Sequence, residues 1–264
     1  MKKEIKKPKA SILIASYNNE KYLKRCLDSA LNQSYDNKEI IVLDDNSSDH
    51  SLEVLKKYKK KIKLIKNKNK YNVGSYDQRQ SYHRCLEFSK GEIIFFLDSD
   101  DYFSRRKLST VINEFLKKKE IKVIYDLPIY SFSKYKKKLS LKNSILNNYW
   151  SNVMPTSCIS IRRSECKKIF KKISYNRFPD IWLDFRLNIF TKYFRLGNLY
   201  LNQNLTYYRQ TDTNVSSRFQ YLSKNWWTRR EQAHEFIKFF FETNNIRYKK
   251  NLDYYLTKIT NYLI

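Results

Sequence analysis

One stretch of this sequence narrows the fold more than any other. Ile93-Ile94-Phe95-Phe96-Leu97 is an unbroken apolar run that stops at Asp98-Ser99-Asp100-Asp101. A strand without polar alternation is buried on both faces, so it belongs at the centre of a sheet covered by helices on each side. The run is far short of the ~20 apolar residues that cross a bilayer, and no longer one exists, so no transmembrane helix is expected. The basic start, Met1–Lys9, leads into an apolar stretch that ends at Ser16-Tyr17-Asn18-Asn19-Glu20 without a small-residue cleavage site. It does not read as a signal peptide, and a cytoplasmic protein is expected.

The rest of the first half repeats the same unit. Ala10–Ser16 reads as a strand, and residues 19–33 as a helix with Tyr22, Leu23, Cys26, Leu27, Ala30 and Leu31 on one face. A strand over 39–43 ends abruptly in Asp44-Asp45-Asn46-Ser47-Ser48-Asp49, and Ser48 or Asp49 is placed to cap a helix to about Lys60. A strand at 62–66, a helix at 75–89, the 93–97 strand, a helix at 105–119 and a strand at 121–125 follow. This order predicts an α/β fold, a Rossmann-like, mostly parallel sheet flanked by helices. Beyond it, residues 134–138 read as a basic loop, 156–161 as a strand followed by a short basic helix, and 180–194 as a helix. Short strands are expected at 199–201 and 205–208, and helices from Phe219 onward.

Ligands of such sheets bind outside the carboxyl ends of the strands. Three of those ends carry polar clusters here: Ser16-Tyr17-Asn18, Asp44-Asp45 and Asp98-Ser99-Asp100. With only three glycines, Gly74, Gly91 and Gly197, the chain holds neither a GxGxxG fingerprint nor a GxxxxGK[ST] loop. Phosphates would have to be neutralised by something other than a glycine cradle. The four cysteines lack CxxC spacing and sit in apolar-periodic segments, which fits reduced core thiols. The three histidines are scattered, so chemistry would rest on carboxylates.

Three carboxylates within four residues after a buried strand repel one another unless a cation or donors compensate them. Hard oxygen ligands suit Mg²⁺ or Mn²⁺, which bind through one or two carboxylates and substrate phosphates. The plainer alternative has Asp101 or Ser104 capping the helix from Arg105, with Asp98 facing solvent; the strand-end position favours the metal. Asp44 and Asp45 could form a turn and cap, or accept from a base N–H and ribose hydroxyls. Arg79, on the helix after Asn72-Val73-Gly74, could reach a diphosphate.

From Ala10 to about Ser217 the chain resembles the inverting nucleotide-sugar glycosyltransferases of family 2, which have the GT-A fold. The resemblance is carried by Ser11–Asn18 with Tyr22-Leu23, by Ile40–Asp49, by Asn72-Val73-Gly74 with Arg79, and by Lys90-Gly91-Glu92 leading into Leu97–Asp101. Each piece is weak alone; four in order at strand ends are specific. The resemblance implies that Ala15, Ser16, Tyr17, Asn18 and Asp45 frame the nucleoside, with Asp44 beside them. Arg79 would help with base or diphosphate, Asp98 and Ser99 would meet the ribose and sugar, and Asp100, with Asp98, would hold Mn²⁺ or Mg²⁺. Gln80 stands where an Asn often follows the Arg.

The family's general base opens a helix with the pattern Asp-x-x-Leu-x-x-Arg-Leu. Asp180-Ile-Trp-Leu183-Asp-Phe-Arg186-Leu187 matches it, with Pro179 in place of the usual acid, so Asp180 is the expected base and Asp184 its competitor. Tyr207-Tyr208-Arg209-Gln210, with Asn214 and Ser216, resembles the loop that closes over the phosphates; Arg209 would contact them, and Gln210 replaces the family's His. The implied activity is inverting, hexosyltransferase-type transfer from a nucleoside-diphosphate sugar, UDP-linked by preference. The acceptor would be a hydroxyl of a glycan or lipid-linked molecule in cell-surface polysaccharide synthesis.

Two other readings compete: a non-catalytic nucleotide-sugar-binding protein of the same fold, and a basic nucleic-acid-binding protein. The formal net charge of +27 and 16% aromatic content suit the second. Against nucleic acid, the acidic clusters sit where a phosphate backbone needs positive charge, and no RNP, zinc-finger or helix-turn-helix signature is present. The expected domains are a glycosyltransferase domain over 1–217, its nucleotide-sugar half about 1–126 and its acceptor half about 127–217, followed by an aromatic, basic helical extension over 218–264. That extension is expected to pack on the domain; the sharper reading is a peripheral contact with an anionic membrane surface.

Overall fold

The computed structural model describes residues 7–67, 74–131, 153–173, 177–194, 197–210 and 219–264. Its elements follow the chain as β1 (Ala10–Ser16), α1 (Glu20–Leu31), β2 (Lys38–Asp44), α2 (Ser51–Lys57), β3 (Lys63–Lys66), α3 (Gly74–Phe88) and β4 (Ile93–Asp98). Then come β5 (Tyr102–Phe103), α4 (Lys107–Lys117), β6 (Ile121–Ser131), β7 (Ile159–Arg162), α5 (Arg163–Ile173), α6 (Leu183–Tyr193), β8 (Gly197–Arg209), α7 (Lys224–Thr243) and α8 (Leu252–Leu263).

The strands form one sheet in the order β3-β2-β1-β4-β7-β6-β8-β5. β1, β2, β3 and β4 are mutually parallel, β6 and β8 run with them, and β7 and β5 run against the rest. The mostly parallel sheet flanked by helices is therefore as expected, with β4 between β1 and β7 near its middle.

The side-chain alternation of each strand feeds two cores. Ile12, Ile14, Val42, Phe95 and Leu97 pack on one face against α1 and α4 through Leu23, Leu27, Val111 and Phe115. Leu13, Ile41, Leu43, Ile94 and Phe96 pack on the other against α3, α5, α6 and α7 through Tyr82, Phe170, Phe185 and Phe236. That double burial is why the strand sequences are continuous apolar runs. Gly91 makes the entry to β4 possible: a Cβ there would stand 2.4 Å from Ser11 Oγ and 2.6 Å from the Ser11 amide. All four cysteines are buried and free, as expected.

Several boundaries differ from the sequence expectation. Residues 156–158 form a single 3₁₀ turn before β7 instead of the start of a strand. The two short strands at 199–201 and 205–208 are one strand, β8, which pairs with an extended β6 through several register shifts. The helix expected from Asp180 begins at Leu183, because Trp182 is held in extended backbone (φ −69°, ψ 158°) and Phe178 has a positive φ of 73°. Asp180 therefore lies in the turn ahead of α6. The basic loop at 134–138, Asn72, Val73, Asn214 and Ser216 lie outside the described residues.

The C-terminal aromatics divide by helix. Phe236, Ile237, Phe240 and Phe241 of α7 belong to the sheet's own core. α8 packs along α7 instead, and several of its large side chains are exposed. Among the described residues no helix is long and apolar enough to cross a membrane.

Candidate active site

The ends of β1 and β2 are stitched together by two residues that tolerate left-handed backbone. Asn18 (φ 48°) and Asn46 (φ 59°) turn the chain sharply as it leaves each strand. Asn18 Oδ1 accepts the Ser48 amide at 2.8 Å, the Asn18 amide donates to Ser47 Oγ at 3.1 Å, and the Asp45 amide donates to the Ser16 carbonyl at 2.8 Å. Asp44 accepts the Ser47 hydroxyl at 2.7 Å and its amide at 3.2 Å, so this acid does form a turn. Asp45 accepts Asn67 Nδ2 at 2.8 Å. Ser16, Asp44 and Asp45 are buried, Ala15 is half-buried, and Tyr17 is exposed beside them.

The β4 end is the electrostatic centre. Asp98 Oδ1 accepts both the Tyr82 hydroxyl and Gln78 Nε2 of α3, each at 2.7 Å. Ser99 Oγ accepts Asn19 Nδ2 at 2.7 Å, tying this loop to the start of α1. Asp101 accepts the Ser157 hydroxyl at 2.6 Å and the Arg209 amide at 2.8 Å. It caps no helix: α4 starts at Lys107, with no side-chain cap. Asp100, half-buried, takes no side-chain hydrogen bond among the described residues.

These acids share one field. Burial pushes the Asp98 carboxyl above its ordinary range, opposed by the donors from Tyr82 and Gln78. Burial and then the Asp98 charge push Asp100 up to about 7, with Arg209 pulling the other way. Burial, Asp100 and Asp98 together hold Asp101 well above the usual carboxylate range. Arg209 is buried, its guanidinium 4.4 Å from the Tyr22 ring centroid.

Asp184 joins this field. Burial raises Asp184 to about 7; Arg229 lowers it and the Asp98 charge raises it. The Tyr208 hydroxyl is raised well above its ordinary value by burial and by the charges of Asp101 and Asp184. Asp180 is half-buried at the edge, accepting Gln232 Nε2 of α7 at 2.8 Å, and it lines a shallow pocket with Phe219, Asn225, Thr228 and Arg229. Arg229, over the Trp182 ring at 3.7 Å, is in the field of both acids, and burial lowers it to about 10.

Arg79 is placed differently from a residue that reaches out to a ligand. It is 0% exposed, 4.9 Å from the Tyr76 ring centroid, and burial lowers it to about 10. The fold also brings in residues that sequence reading passed over. Gln78 and Tyr82 lie four apart on one face of α3, a spacing visible in the sequence. Ser157 and Arg229 reach the site only through tertiary contacts, while Asn19, next to Asn18 in the chain, joins it to the β4 end through Ser99.

Among the described residues, no group of three or more His, Cys, Asp and Glu is arranged to hold a metal ion. The donor set nonetheless fits a cation shared with a phosphorylated ligand. Asp100 is raised by burial and then by its neighbour's charge and has no side-chain donor among the described residues, and Asp98 receives the Gln78 and Tyr82 hydrogen bonds on one oxygen. One or two carboxylates with substrate phosphates suffice for Mg²⁺ or Mn²⁺.

Comparison with known proteins matches residues 11–183 to glycosyl transferase family 2. The chain is 36% identical over 118 residues to the chondroitin synthase of Pasteurella multocida, covering 45% of this chain and 12% of that protein. It is 40% identical over 103 residues to the Escherichia coli UDP-Glc:alpha-D-GlcNAc-diphosphoundecaprenol beta-1,3-glucosyltransferase WfaP, covering 39% of each. The matches thus span a minor part of either relative. Among solved structures, Staphylococcus aureus TarS 1-349 in complex with UDP-GlcNAc aligns over 96% of this chain and 70% of its own, with TM-score 0.63 and 19% identity. At that identity the likeness establishes the shared GT-A architecture.

Proposed function

Because the chain belongs to glycosyl transferase family 2, we propose that it transfers a sugar from a nucleoside-diphosphate sugar to an acceptor hydroxyl, with inversion at the anomeric carbon. The observation that carries this reading is Asp100: a half-buried acid beside Asp98, raised to about 7, at the carboxyl end of the central strand. An acid so placed suits a cation brought together with a diphosphate.

Ser16, Tyr17, Asn18, Asp44 and Asp45 would receive the nucleoside, Tyr17 supplying an exposed ring and Asp45 an acceptor. Ser99 and Asp98 would meet the ribose and sugar, and Arg209 the diphosphate. Asp100 and Asp98 would hold Mn²⁺ or Mg²⁺, which when bound supplies charge neutralisation for the departing diphosphate. Arg79, wholly buried under Tyr76, would act on the ligand from behind the wall of the site.

For the general base we favour Asp184 over Asp180, against the motif register. Burial, with the Asp98 charge adding to it, raises Asp184 to about 7, and a carboxyl near 7 is matched to accepting a proton at neutral pH. It would take the acceptor hydroxyl's proton as that oxygen attacks the anomeric carbon opposite the leaving diphosphate. One displacement inverts the configuration.

The names of WfaP and TarS's bound ligand favour a UDP-sugar donor, and WfaP's name favours a lipid-linked acceptor in cell-surface glycan synthesis. Thermal denaturation with a panel of nucleoside-diphosphate sugars and Mn²⁺ tests the donor reading, since a ligand that binds only the folded state raises Tm. One donor class should raise Tm well above the others. No shift with any of them would contradict it.

A further inference from the structure

An amphipathic helix on a protein surface ordinarily turns its apolar stripe inward. α8 buries only Tyr254 of its large apolar side chains and turns the others outward. Its polar residues face α7: Asp253 is ion-paired with Arg230 and lies 2.8 Å from His234 Nε2. Lys258 Nζ reaches Glu231 at 2.5 Å and Glu235 at 3.2 Å, and Asn261 Nδ2 donates to Glu231 at 2.6 Å. The Asn251 side chain caps the helix by accepting the Tyr254 amide at 2.9 Å.

The outer face carries Leu252, Tyr255, Leu256, Ile259, Tyr262 and Leu263, all exposed, Tyr262 at 90% and Leu263 at 74%. Their spacing keeps them on one stripe of the helix. Lys224 Nζ donates to the Ile264 carbonyl at 3.0 Å, which brings the end of α8 to the start of α7, where Tyr221 and Leu222 are also exposed. An apolar patch of this continuity marks a contact surface.

The charges around the patch identify what it meets. Arg247, Lys249 and Lys250, exposed, directly precede α8, and exposed Lys224 stands at its far end. Asp253 is the one acid between Arg247 and Ile264, and it is turned inward. We propose that this outer face of α8 docks on an anionic lipid bilayer, the helix lying in the headgroup plane. Leu and Ile would enter the acyl boundary, Tyr would sit at headgroup level, and the basic rim would meet the anionic surface. A second copy seated on the same face would set basic rim against basic rim, which disfavours self-association. The net charge of +27 acts in the same direction. The proposal rests on this face alone and is independent of the donor chemistry.

The test is flotation of the full chain with vesicles of phosphatidylcholine alone or mixed with phosphatidylglycerol, at low and high salt, alongside light scattering for oligomeric state. The protein should float with the anionic vesicles only, and less at high salt. The variant Leu256→Ser/Ile259→Ser/Tyr262→Ser should lose flotation, and Lys249→Ala/Lys250→Ala should weaken it roughly ten-fold or more. The single change Tyr262→Ser, at the most exposed position, should weaken flotation with its circular dichroism unchanged, even if the triple variant fails to fold. Absence of anionic-vesicle binding, or binding unaltered in Tyr262→Ser and the lysine variant, would overturn the proposal. So would a dimer that Tyr262→Ser dissociates without any vesicle binding, which would assign the face to a second copy.

Discussion

The Ser157 hydroxyl donates to Asp101 Oδ2 at 2.6 Å, and the hydroxyl oxygen itself accepts the Asp98 amide at 2.9 Å. One buried side chain from the turn before β7 thereby fixes both ends of the acidic loop that follows β4. The loop's acids are crowded, and the clamp holds them at the strand end against their mutual repulsion.

Ser157→Ala should leave Asp101 without its hydroxyl donor and the Asp98 amide without its acceptor, both buried. The expected cost is about 1–3 kcal/mol of stability, read by urea denaturation. If Ser157 positions the site and does more than stabilise it, kcat should fall with little change in donor KM, and Ser157→Thr should recover part of it. Unchanged kcat in a folded Ser157→Ala protein would assign the residue to stability alone.

The clamp is itself anchored. Lys107 Nζ, fully buried, lies 2.5 Å from Asp126 Oδ1 and 2.6 Å from both the Ser157 carbonyl and Thr206 Oγ1. Lys107→Met should leave Asp126 as an uncompensated buried acid, at about 3–5 kcal/mol. Lys107→Met/Asp126→Asn should recover part of that loss in the same denaturation experiment. A single variant as stable as wild type would contradict the anchoring role.

Asp184, the favoured base, carries its own pH signature. With Asp184 near 7, kcat/KM should rise with pH and level off above about 7, and Asp184→Asn should abolish transfer nearly completely. Asp180→Asn should retain most activity, because its carboxyl is bonded to Gln232 at the periphery. The reverse pattern would restore Asp180 as the base.

The same shift has a stability consequence. Asp184 holds a proton in the folded protein that the unfolded chain releases at its ordinary, lower pKa. Its contribution to stability is complete below the ordinary carboxylate range and is lost as pH rises through about 7. Asp184→Asn should therefore flatten the decline of Tm between about pH 4 and 7. A variant with the wild-type slope would show that the carboxyl is not raised.

The parts of the fold that were legible are those written in local pattern. β1, β2 and β4 are continuous apolar runs because both faces are buried, and their polar stops mark the strand ends where the acids gather. The polar residues Asn202–Asn204 broke β8 into two apparent strands, since pairing with β6 is a tertiary fact invisible in a single segment. β5 is too short for any periodicity to show. Within the site, Asp98, Ser99 and Asp100 stood out as a cluster, whereas Ser157 reaches it from 59 residues away along the chain. The Asp180 register gave no warning that α6 starts at Leu183, and burial of Asp184 depends on elements from distant parts of the sequence. Arg79 read as a cation that could reach a diphosphate because burial leaves no mark on an arginine's neighbours.

The most direct measurement is release of the nucleoside diphosphate from the donor that raises Tm, with Mn²⁺ present, by the wild-type protein and by Asp100→Asn. Wild type should turn the donor over, and Asp100→Asn should fall at least ~100-fold while keeping its fold by circular dichroism. Equal release by the two proteins would contradict the assignment of the β4 acids as the centre of the reaction.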